Sequence, residues 1–535
     1  MKLKSSAVRK IFGTPFHPFL LALFPVLFLY AHNIEEATIS STFKPIVLVL
    51  FGVSIFLLLS NLIFRDWKKS ALLVSLGALI FFSHGHIHTL IGVLKYRIWK
   101  FEFGADDTLF MVWAVLGLFS FIELFRTKLK FEKFTSFLNL ISFVLVFYTL
   151  ATAVPHEIWR ALTSPSNGPP VENPSYSKVT NSVGYQPDIY YIILDRYAGN
   201  KTIKDFYGYD NSEFTNYLKE KGFYVADDSI SNYPSTRISL ASSLNMSYLE
   251  PPVTGGPGPL ILNNKVSEFL KSRGYRYFYA GSYVGPVKTN PNADENFNDK
   301  SNVDYFEEEL IQTTILAPVF RKFFPLYYDY YATRRKHTLS QLAWIKEISE
   351  GSASPKFVFA HILLPHYPYV FGSDCERRGE EPSGDAAEIN NYIPQLSCTN
   401  KLIRELVDQV LKNSSKPPVI LVQADEGPHV MKYPFSRDQN YQKADPRSFQ
   451  ERARILSSYY LPGVDSSKVL YPSITPVNSF RVVFNLYFGT DFGLLQDRSY
   501  IFQKAGDPPY YYYTYDLDGP IDFIDVTDII KGRYK

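Results

Sequence analysis

The sequence has little net charge and little cysteine. Its formal charge is only +3 over 535 residues, so no strongly basic surface indicates a nucleic-acid partner. No repeat of fixed period is visible, and the length exceeds that of one ordinary domain. The two cysteines are Cys375 and Cys398. An oxidising compartment would permit a disulfide between them, and two free thiols are the alternative.

Charged residues are also scarce in the first 155 residues. Most of the five apolar stretches there approach the roughly 20 residues that span a bilayer. They cover about residues 16–30, 45–64, 71–94, 109–124 and 134–154. Basic residues precede the first stretch, as in a signal peptide, but no convincing cleavage pattern follows it. The sequence therefore predicts an α-helical membrane domain of five transmembrane helices over residues 1–155.

The basic residues indicate how the predicted spans are oriented. They cluster before span one, between spans two and three, and between spans four and five. The positive-inside rule places those segments in the cytoplasm. The loop after span three departs from this pattern, with Lys95, Arg97 and Lys100. Five spans that start in the cytoplasm put the rest of the chain on the outer side of the cell membrane.

The composition changes after the last span. Residues 156–187 are rich in proline, serine and asparagine, which is typical of a linker. From residue 188 to 535, strand patterns alternate with amphipathic helix patterns, which predicts an α/β domain with a mostly parallel central sheet. The predicted strands include 189–194, 275–280, 357–360 and 419–422, and the predicted helices include 212–221, 237–244, 265–273, 339–349 and 400–411. Residues 287–331 and the tail around 510–513 have no clear pattern.

Three of the predicted strands end in polar side chains. Asp195 follows the first, His361 follows the third with His366 just beyond it, and Asp425 and Glu426 follow the fourth. The carboxyl ends of parallel strands meet at one edge of a sheet, where ligands bind. Carboxylates and imidazoles are ligands of divalent cations, so the pattern indicates a shared metal site. The alternative is an acidic turn, a surface ion pair and scattered exposed histidines.

The segment from Ser231 to Leu244 offers a hydroxyl nucleophile. Pro234 and Ser235 lead into a predicted helix that begins near Thr236. One interpretation is a simple helix N-cap. The other uses the same geometry, because free backbone N–H groups and the positive end of the helix dipole favour phosphate. A metal ion would lower the pKa of the hydroxyl and make it a nucleophile.

This combination resembles the sulfatase-like branch of the alkaline phosphatase superfamily, above all the lipoteichoic acid synthases and the lipid A phosphoethanolamine transferases. The likeness covers most of the chain and is strongest over residues 188–249, 357–371 and 419–428. Members of that group have five spans followed by an extracytoplasmic catalytic domain. Their metal ligands are an acid after the first strand, a nucleophilic threonine and a late Asp-His pair.

The resemblance implies roles for individual residues. Asp195, Thr236 and Asp425 stand at the positions of the family's metal ligands, and Thr236 is the nucleophile. His366, in the segment His-Tyr-Pro-Tyr, matches a histidine that contacts substrate phosphate. His361 falls where the transferases carry a second histidine, so it is expected to bind substrate.

One position departs from the family. Glu426 stands where the family has histidine after the late aspartate. A carboxylate at this position could still bind the metal, and it would favour Mg, Mn or Ca over Zn. An inward turn of His429 and the loss of metal binding are the alternatives.

The chain also departs from the sulfatase signature. Sulfatases convert a cysteine or serine in Cys/Ser-x-Pro-x-Arg to formylglycine. Here Asn232 stands two places before Pro234, and Arg237 lies one place too far along. A threonine nucleophile fits phosphoryl chemistry instead, with Arg237 beside it as a candidate for binding substrate.

The resemblance implies a membrane-anchored, metal-dependent phosphotransferase of the bacterial cell envelope, with one divalent ion (Mn, Mg or Zn). It would move a phospho-head group, such as phosphoglycerol or phosphoethanolamine, from a membrane phospholipid donor to an envelope glycan or glycolipid through phospho-Thr236. The alternatives are an extracytoplasmic phosphodiesterase, phosphatase or sulfuric-ester hydrolase, and a non-catalytic protein that binds the envelope.

Three histidines lie late in the third span, at His84, His86 and His88. His84 and His88 share one face of a helix. Ionisable groups within a span are candidates for function. A place at the outer membrane interface is the alternative for all three.

Overall fold

The computed structural model describes residues 13–34, 37, 39–92, 94–163, 185–250, 258–283, 287–298, 305–324, 329–351, 355–378, 385–428, 445–504 and 521–532. The chain forms two compact units. The first comprises Met1–Leu162 and Ser301–Tyr330, and the second comprises Thr163–Lys300 and Tyr331–Lys535. The tail around residues 510–513 lies outside the described residues.

The first unit is built from apolar helices. They are α1 (His17–His32), α2 (Phe43–Phe64), α3 (Trp67–Ile91), α4 (Ala105–Arg126) and α5 (Glu132–Thr163), with a short antiparallel hairpin, β1 (Tyr96–Ile98) and β2 (Phe101–Phe103), between α3 and α4. In the described part of the chain, α2, α3, α4 and α5 are long and apolar enough to cross a membrane, whereas α1 has 16 residues. All five predicted spans are therefore helices, four of them of full length.

The second unit is built on a seven-stranded mixed sheet. Its strands are β3 (Ile189–Leu194), β4 (Tyr224–Val225), β5 (Arg276–Ala280), β6 (Glu295–Asn296), β7 (Lys356–Ile362), β8 (Val419–Gln423) and β9 (Ser457–Tyr460). The order across the sheet is β4-β9-β8-β3-β7-β5-β6. The five strands from β8 to β6 are parallel, and β9 is antiparallel to both β8 and β4. The predicted α/β fold with a mostly parallel sheet is confirmed.

The centre of this sheet is apolar on both faces. Every residue of β3, β7 and β8 is buried. Tyr190, Ile192 and Leu194 of β3 pack into one hydrophobic layer, and Ile189 and Tyr191 pack into the other. Side chains alternate along a strand, so a continuous apolar run fits a strand that is covered on both faces.

The remaining elements follow in chain order. The helices are α6 (Asn200–Tyr207), α7 (Ser212–Glu220), α8 (Thr236–Asn245), α9 (Gly258–Leu262), α10 (Lys265–Ser272), α11 (Tyr305–Thr313), α12 (Leu316–Phe323), α13 (Tyr330–Gly351), α14 (Asp385–Asn413), α15 (Pro446–Ala453), α16 (Ser479–Phe488) and α17 (Thr527–Ile530). The last two strands, β10 (Tyr500–Lys504) and β11 (Ile521–Asp525), form a separate antiparallel pair.

Helices α11 and α12 belong to the first unit, although they follow β6 of the sheet in the chain. The backbone N–H of Ile315 donates to the carbonyl of Phe81 on α3 (3.0 Å). Gly85 permits the close approach, since a Cβ there would lie 2.2 Å from the carbonyl oxygen of Gln312. The sequence groups residues 301–330 with the predicted extracytoplasmic domain, whereas the structure groups them with the apolar helices.

A buried ion pair lies at the amino ends of β3 and β7. Asp188 accepts a hydrogen bond from the backbone N–H of Lys356 (3.0 Å) and lies 3.4 Å from its Nζ. We predict that Asp188→Ala lowers the stability of the sheet by about 3–5 kcal/mol, because it removes the carboxylate that faces a buried ammonium group. Hydrogen–deuterium exchange of β3 and β7 in the full chain measures this loss.

The matched control is the exposed pair between Lys219 and Asp227 (3.4 Å). Lys219→Ala should cost no more than about 1 kcal/mol, as expected for a solvated pair. Equal protection of β3 in the Asp188→Ala and Lys219→Ala proteins would show that the buried pair is not important for the sheet.

Candidate active site

Three neighbouring parallel strands deliver the predicted ligands to one edge of the sheet. Asp195 follows β3, His361 lies at the carboxyl end of β7, and Asp425 follows β8. The strand order places β3 between the other two. The backbone N–H of Asp195 donates to the carbonyl of Ile362 (3.0 Å), which extends the pairing of β3 with β7 beyond the strand. The sheet therefore fixes the backbone at the ligand positions.

The three side chains meet in a buried cluster. His361 Nε2 lies 3.5 Å from Asp195 Oδ2 and 3.6 Å from Asp425 Oδ2. One ligand atom from each residue lies within 4.8 Å of the other two. His361 and Asp425 are 1% exposed and Asp195 is 3% exposed. The strand-end pattern predicted His361 in a shared metal site and the family resemblance implied a contact with substrate; its ring lies between the two carboxylates.

The cluster contains polar atoms without partners. Asp195 Oδ1, Asp425 Oδ2 and both ring nitrogens of His361 make no hydrogen bond within the described part of the chain. Burial raises the pKa of Asp195 well above its usual value, and the charges of Asp425 and Glu426 add to this effect. Buried carboxylates require a counter-charge, and two carboxylates with one imidazole suit a divalent cation. The residues present therefore fit one metal ion.

Thr236 occupies the start of α8. Ser235 before it has an extended backbone and makes no capping hydrogen bond through its side chain, and Thr236 is half-buried. The first N–H groups of a helix have no partner within the helix and carry the positive end of its dipole. Arg237 is buried in the same turn. This helix end therefore offers a hydroxyl next to donors that suit an anion.

Glu426 pairs with two arginines and is not part of the cluster of Asp195, His361 and Asp425. Its Oε2 accepts a hydrogen bond from Arg452 Nη2 (2.7 Å), and its Oε1 accepts one from Arg196 Nε (3.4 Å). Burial raises the pKa of Glu426 to about 7, and the charges of Arg452 and Arg196 oppose that rise. The residue that departs from the family pattern is thus the counter-ion of two arginines.

Arg452 connects the end of β8 to the segment before α8. Besides Glu426, its Nη2 donates to the carbonyl of Pro234 (2.9 Å). Gly427 allows the turn after β8 to approach the end of α15, because a Cβ there would lie 2.3 Å from the carbonyl oxygen of Glu451. The sequence alone did not predict a role for Arg452, because this residue is 26 residues from Glu426 and 218 from Pro234. No local pattern signals such a contact.

The loop that carries His366 is held by one side chain of α14. Gln395 Nε2 donates to the carbonyl of His366 (2.7 Å), and its Oε1 accepts from the backbone N–H of Val370 (2.8 Å). A disulfide joins Cys375, farther along this segment, to Cys398 on α14. The sequence did not predict a role for Gln395 either, because a glutamine within a helix pattern does not indicate which loop it will bind.

The imidazole of His366 is half-buried. Burial lowers the pKa of His366 well below its usual value, and the positive charge of Arg196 acts in the same direction. Its Nδ1 contacts the carbonyl of Tyr367, so Nδ1 carries the proton and Nε2 has a free lone pair in the neutral ring. The neutral ring of His366 therefore presents an unprotonated Nε2.

The remaining histidines of interest lie elsewhere or are not described. His429 lies outside the described residues. In the first unit, Asp106 Oδ1 lies 3.2 Å from His84 Nε2 and 3.4 Å from His88 Nε2. His86 is exposed. The shared carboxylate shows that His84 and His88 occupy one face of α3.

We predict that substitutions of the adjacent residues Asp425 and Glu426 differ in their effect on metal affinity. Asp425→Asn should weaken the binding of Mn²⁺ or Zn²⁺ more than about 100-fold, because it removes a ligand. Glu426→Gln should change it less than about tenfold, because Glu426 binds arginines. Isothermal titration calorimetry of the full chain measures both. Equal losses in the two variants would make Glu426 a ligand.

The second unit matches a known family. Residues 187–454, which contain all the candidate site residues above, match the sulfatase family model. No curated protein matches the chain.

Several solved structures resemble the chain at low identity. One is the C-terminal periplasmic domain of EptC from Escherichia coli in complex with Zn, at 13% identity, with a TM-score of 0.43 and coverage of 66% of this chain and 96% of that one. Another is the corresponding domain of phosphoethanolamine transferase EptC from Campylobacter jejuni, at 15% identity, with a TM-score of 0.35 and coverage of 58% and 92%.

A third is the integral membrane protein lipooligosaccharide phosphoethanolamine transferase A from Neisseria meningitidis, at 13% identity, with a TM-score of 0.41 and coverage of 88% of this chain and 95% of that one. The match of the family model covers half of the chain and includes the buried cluster. The chain is a membrane protein with a sulfatase-like enzyme unit, and it belongs to the sulfatase family.

Proposed function

We propose that the protein is a membrane-anchored phosphotransferase that carries a phospho-head group on Thr236. The observation that supports this most is the buried cluster of Asp195, His361 and Asp425, whose unpartnered atoms suit one divalent ion. The absence of the Cys/Ser-x-Pro-x-Arg signature argues against sulfuric-ester hydrolysis, because no residue at that position can become formylglycine.

The proposed reaction has two displacements at phosphorus. First, Thr236 Oγ1 forms a bond to the phosphorus of a lipid head group while the bond from phosphorus to the diacylglycerol oxygen breaks. The proton of the threonine hydroxyl leaves, and the diacylglycerol oxygen gains one. An acceptor hydroxyl then attacks the phosphorus, and the bond to Thr236 breaks, which restores the hydroxyl. In each displacement one P–O ester bond forms and one P–O ester bond breaks.

The residues around Thr236 suit this chemistry. The N–H groups at the start of α8 can hold phosphoryl oxygens, and Arg237 lies in the same turn. A divalent ion bound by Asp195, His361, Asp425 and the Thr236 hydroxyl would neutralise charge on phosphate and make the hydroxyl more acidic. Mn, Mg and Zn are the candidates, because carboxylates suit the first two and the imidazole suits Zn.

His366 is the proposed proton carrier. Because its pKa is lowered by burial and by Arg196, the ring is neutral at physiological pH and its Nε2 can accept a proton. It takes up the proton released by the attacking hydroxyl and returns it to the departing oxygen. The pairing of Arg452 with Glu426 and with the carbonyl of Pro234 holds the start of α8 in position.

The proposed partners follow from the membrane helices and from the family resemblance. The proposed position of the catalytic unit is the outer side of a bacterial cell membrane, and the positive-inside rule applied to the basic loops supports this orientation. The donor is then a membrane phospholipid with a head group such as phosphoethanolamine or phosphoglycerol. The acceptor is a glycan or glycolipid of the envelope.

We predict that Thr236→Ala lowers transfer activity by at least about a thousandfold, because it removes the nucleophile. Mass spectrometry of the full chain incubated with a phospholipid donor should show the head-group phosphate on Thr236. Ser235→Ala is the matched control, since this neighbouring hydroxyl makes no capping hydrogen bond. It should keep most of the activity and form the same adduct.

Full activity in the Thr236→Ala protein, together with no adduct in the wild type, would contradict the mechanism. The fate of a labelled head group tests the acceptor. We expect the label on a glycan or glycolipid. Label found only in solution would make the protein a phosphodiesterase that uses the same nucleophile.

A further inference from the structure

The first unit contains an elongated apolar cavity between α2, α3 and the helices α11 and α12. Its volume is about 820 Å³, within the range of roughly 300–1,000 Å³ that is usual for ligand sites. We call it the α2–α3 groove. Its walls are mostly aliphatic and aromatic, for example Leu48 and Phe56 on α2, Phe81 on α3 and Ile311 on α11. Its chemistry therefore suits an apolar ligand.

The length of the groove restricts the shape of that ligand. On α2, the residues that line it run from Lys44 to Ile63. At about 1.5 Å per residue this distance is roughly 28 Å, close to the thickness of the hydrocarbon core of a bilayer. A long, narrow apolar space suits an extended acyl chain better than a compact molecule.

The groove carries opposite charges at one end. Lys44 Nζ lies 2.7 Å from Glu307 Oε2, and both residues line the groove. Lys44 is exposed, whereas the side chain of Glu307 is 14% exposed. The orientation indicated by the basic loops puts Lys44, which follows span one, at the outer face of the membrane, where lipid head groups lie. One end is thus suited to a phosphate and an ammonium group.

We propose that the α2–α3 groove binds one zwitterionic glycerophospholipid of the outer leaflet. An acyl chain lies along α2, the phosphate lies at Lys44, and the ammonium group lies at Glu307. The charge order matches the head group, and the apolar groove is long enough to hold the chain. This binding site is independent of the reaction proposed for Thr236.

Two glycines keep the middle of the groove open. Gly52 on α2 and Gly77 on α3 both line it. A Cβ at either position would meet no heavy atom of the described residues within 4 Å. A side chain can therefore begin at either position without a clash at its Cβ, and a large one would project into the groove that the acyl chain is proposed to occupy.

The experiment uses the full chain in nanodiscs that contain phosphatidylethanolamine with a diazirine in its acyl chain. After illumination, mass spectrometry maps the labelled residues. In the wild type we expect several-fold more label on Val49, Phe81 and Ile311 than on Phe51. Phe51 lies on α2, like Val49, but it is 64% exposed and does not line the groove. Even labelling of exposed and groove residues would overturn the proposal.

The variants test the site directly. Gly52→Phe and, from the facing helix, Gly77→Phe should each lose most of the groove label while the label on Phe51 persists. Leu62→Phe is the control, because Leu62 is 72% exposed on α2 and lies outside the groove. Unchanged groove label in both glycine variants, or an equal loss in Leu62→Phe, would contradict a bound lipid.

The head group has its own test. Lys44→Gln should lower groove labelling several-fold, because it removes the partner of the phosphate. A phosphatidylglycerol probe with the same acyl chain should label the wild-type groove less than the phosphatidylethanolamine probe, because Glu307 repels its anionic head group. Equal labelling by the two probes would overturn the zwitterionic assignment.

Discussion

The catalytic unit depends on the burial of two carboxylates at the ends of neighbouring strands. Asp195 and Asp425 are removed from water, and Asp425 raises the pKa of Asp195 by charge repulsion after burial itself has raised it. The burial of two carboxylate charges has a high free-energy cost unless a cation neutralises them. His361 adds an imidazole between them, so the sheet assembles a ligand set rather than a core. The metal site follows from this arrangement.

The two adjacent acidic residues after β8 have different electrostatic environments. Asp425 points to the cluster, whereas Glu426 is held by Arg452 and Arg196. Glu426 is thus paired with guanidinium groups, whereas Asp425 lies beside an imidazole. Since Arg452 also binds the carbonyl of Pro234, the pair positions the backbone that leads to Thr236. The guanidinium group of Arg452 thus connects the carboxyl end of β8 to the start of α8.

The parts of the fold that the sequence predicted are those with a local signal. The strand predicted at 189–194 matches β3 to the residue, because an apolar run between polar residues has clear limits. Helix α14 begins at Asp385, well before the predicted residue 400, and Pro394 lies inside it, where a proline in a sequence usually indicates a helix end. The roles of Arg452 and Gln395 were not predicted, because they depend on contacts between segments that are distant in the sequence. The grouping of α11 and α12 with the membrane helices also depends on such contacts.

The origin of the imidazole explains how Glu426 can differ from the family pattern. In the family, the histidine follows the late aspartate on the same strand end. Here the imidazole beside Asp425 comes from β7, and Asp195 at the end of β3 lies within reach of the same ring nitrogen. The cluster thus contains an imidazole although no histidine follows Asp425. Glu426 is then free to pair with arginines, and its presence is no evidence against a catalytic metal.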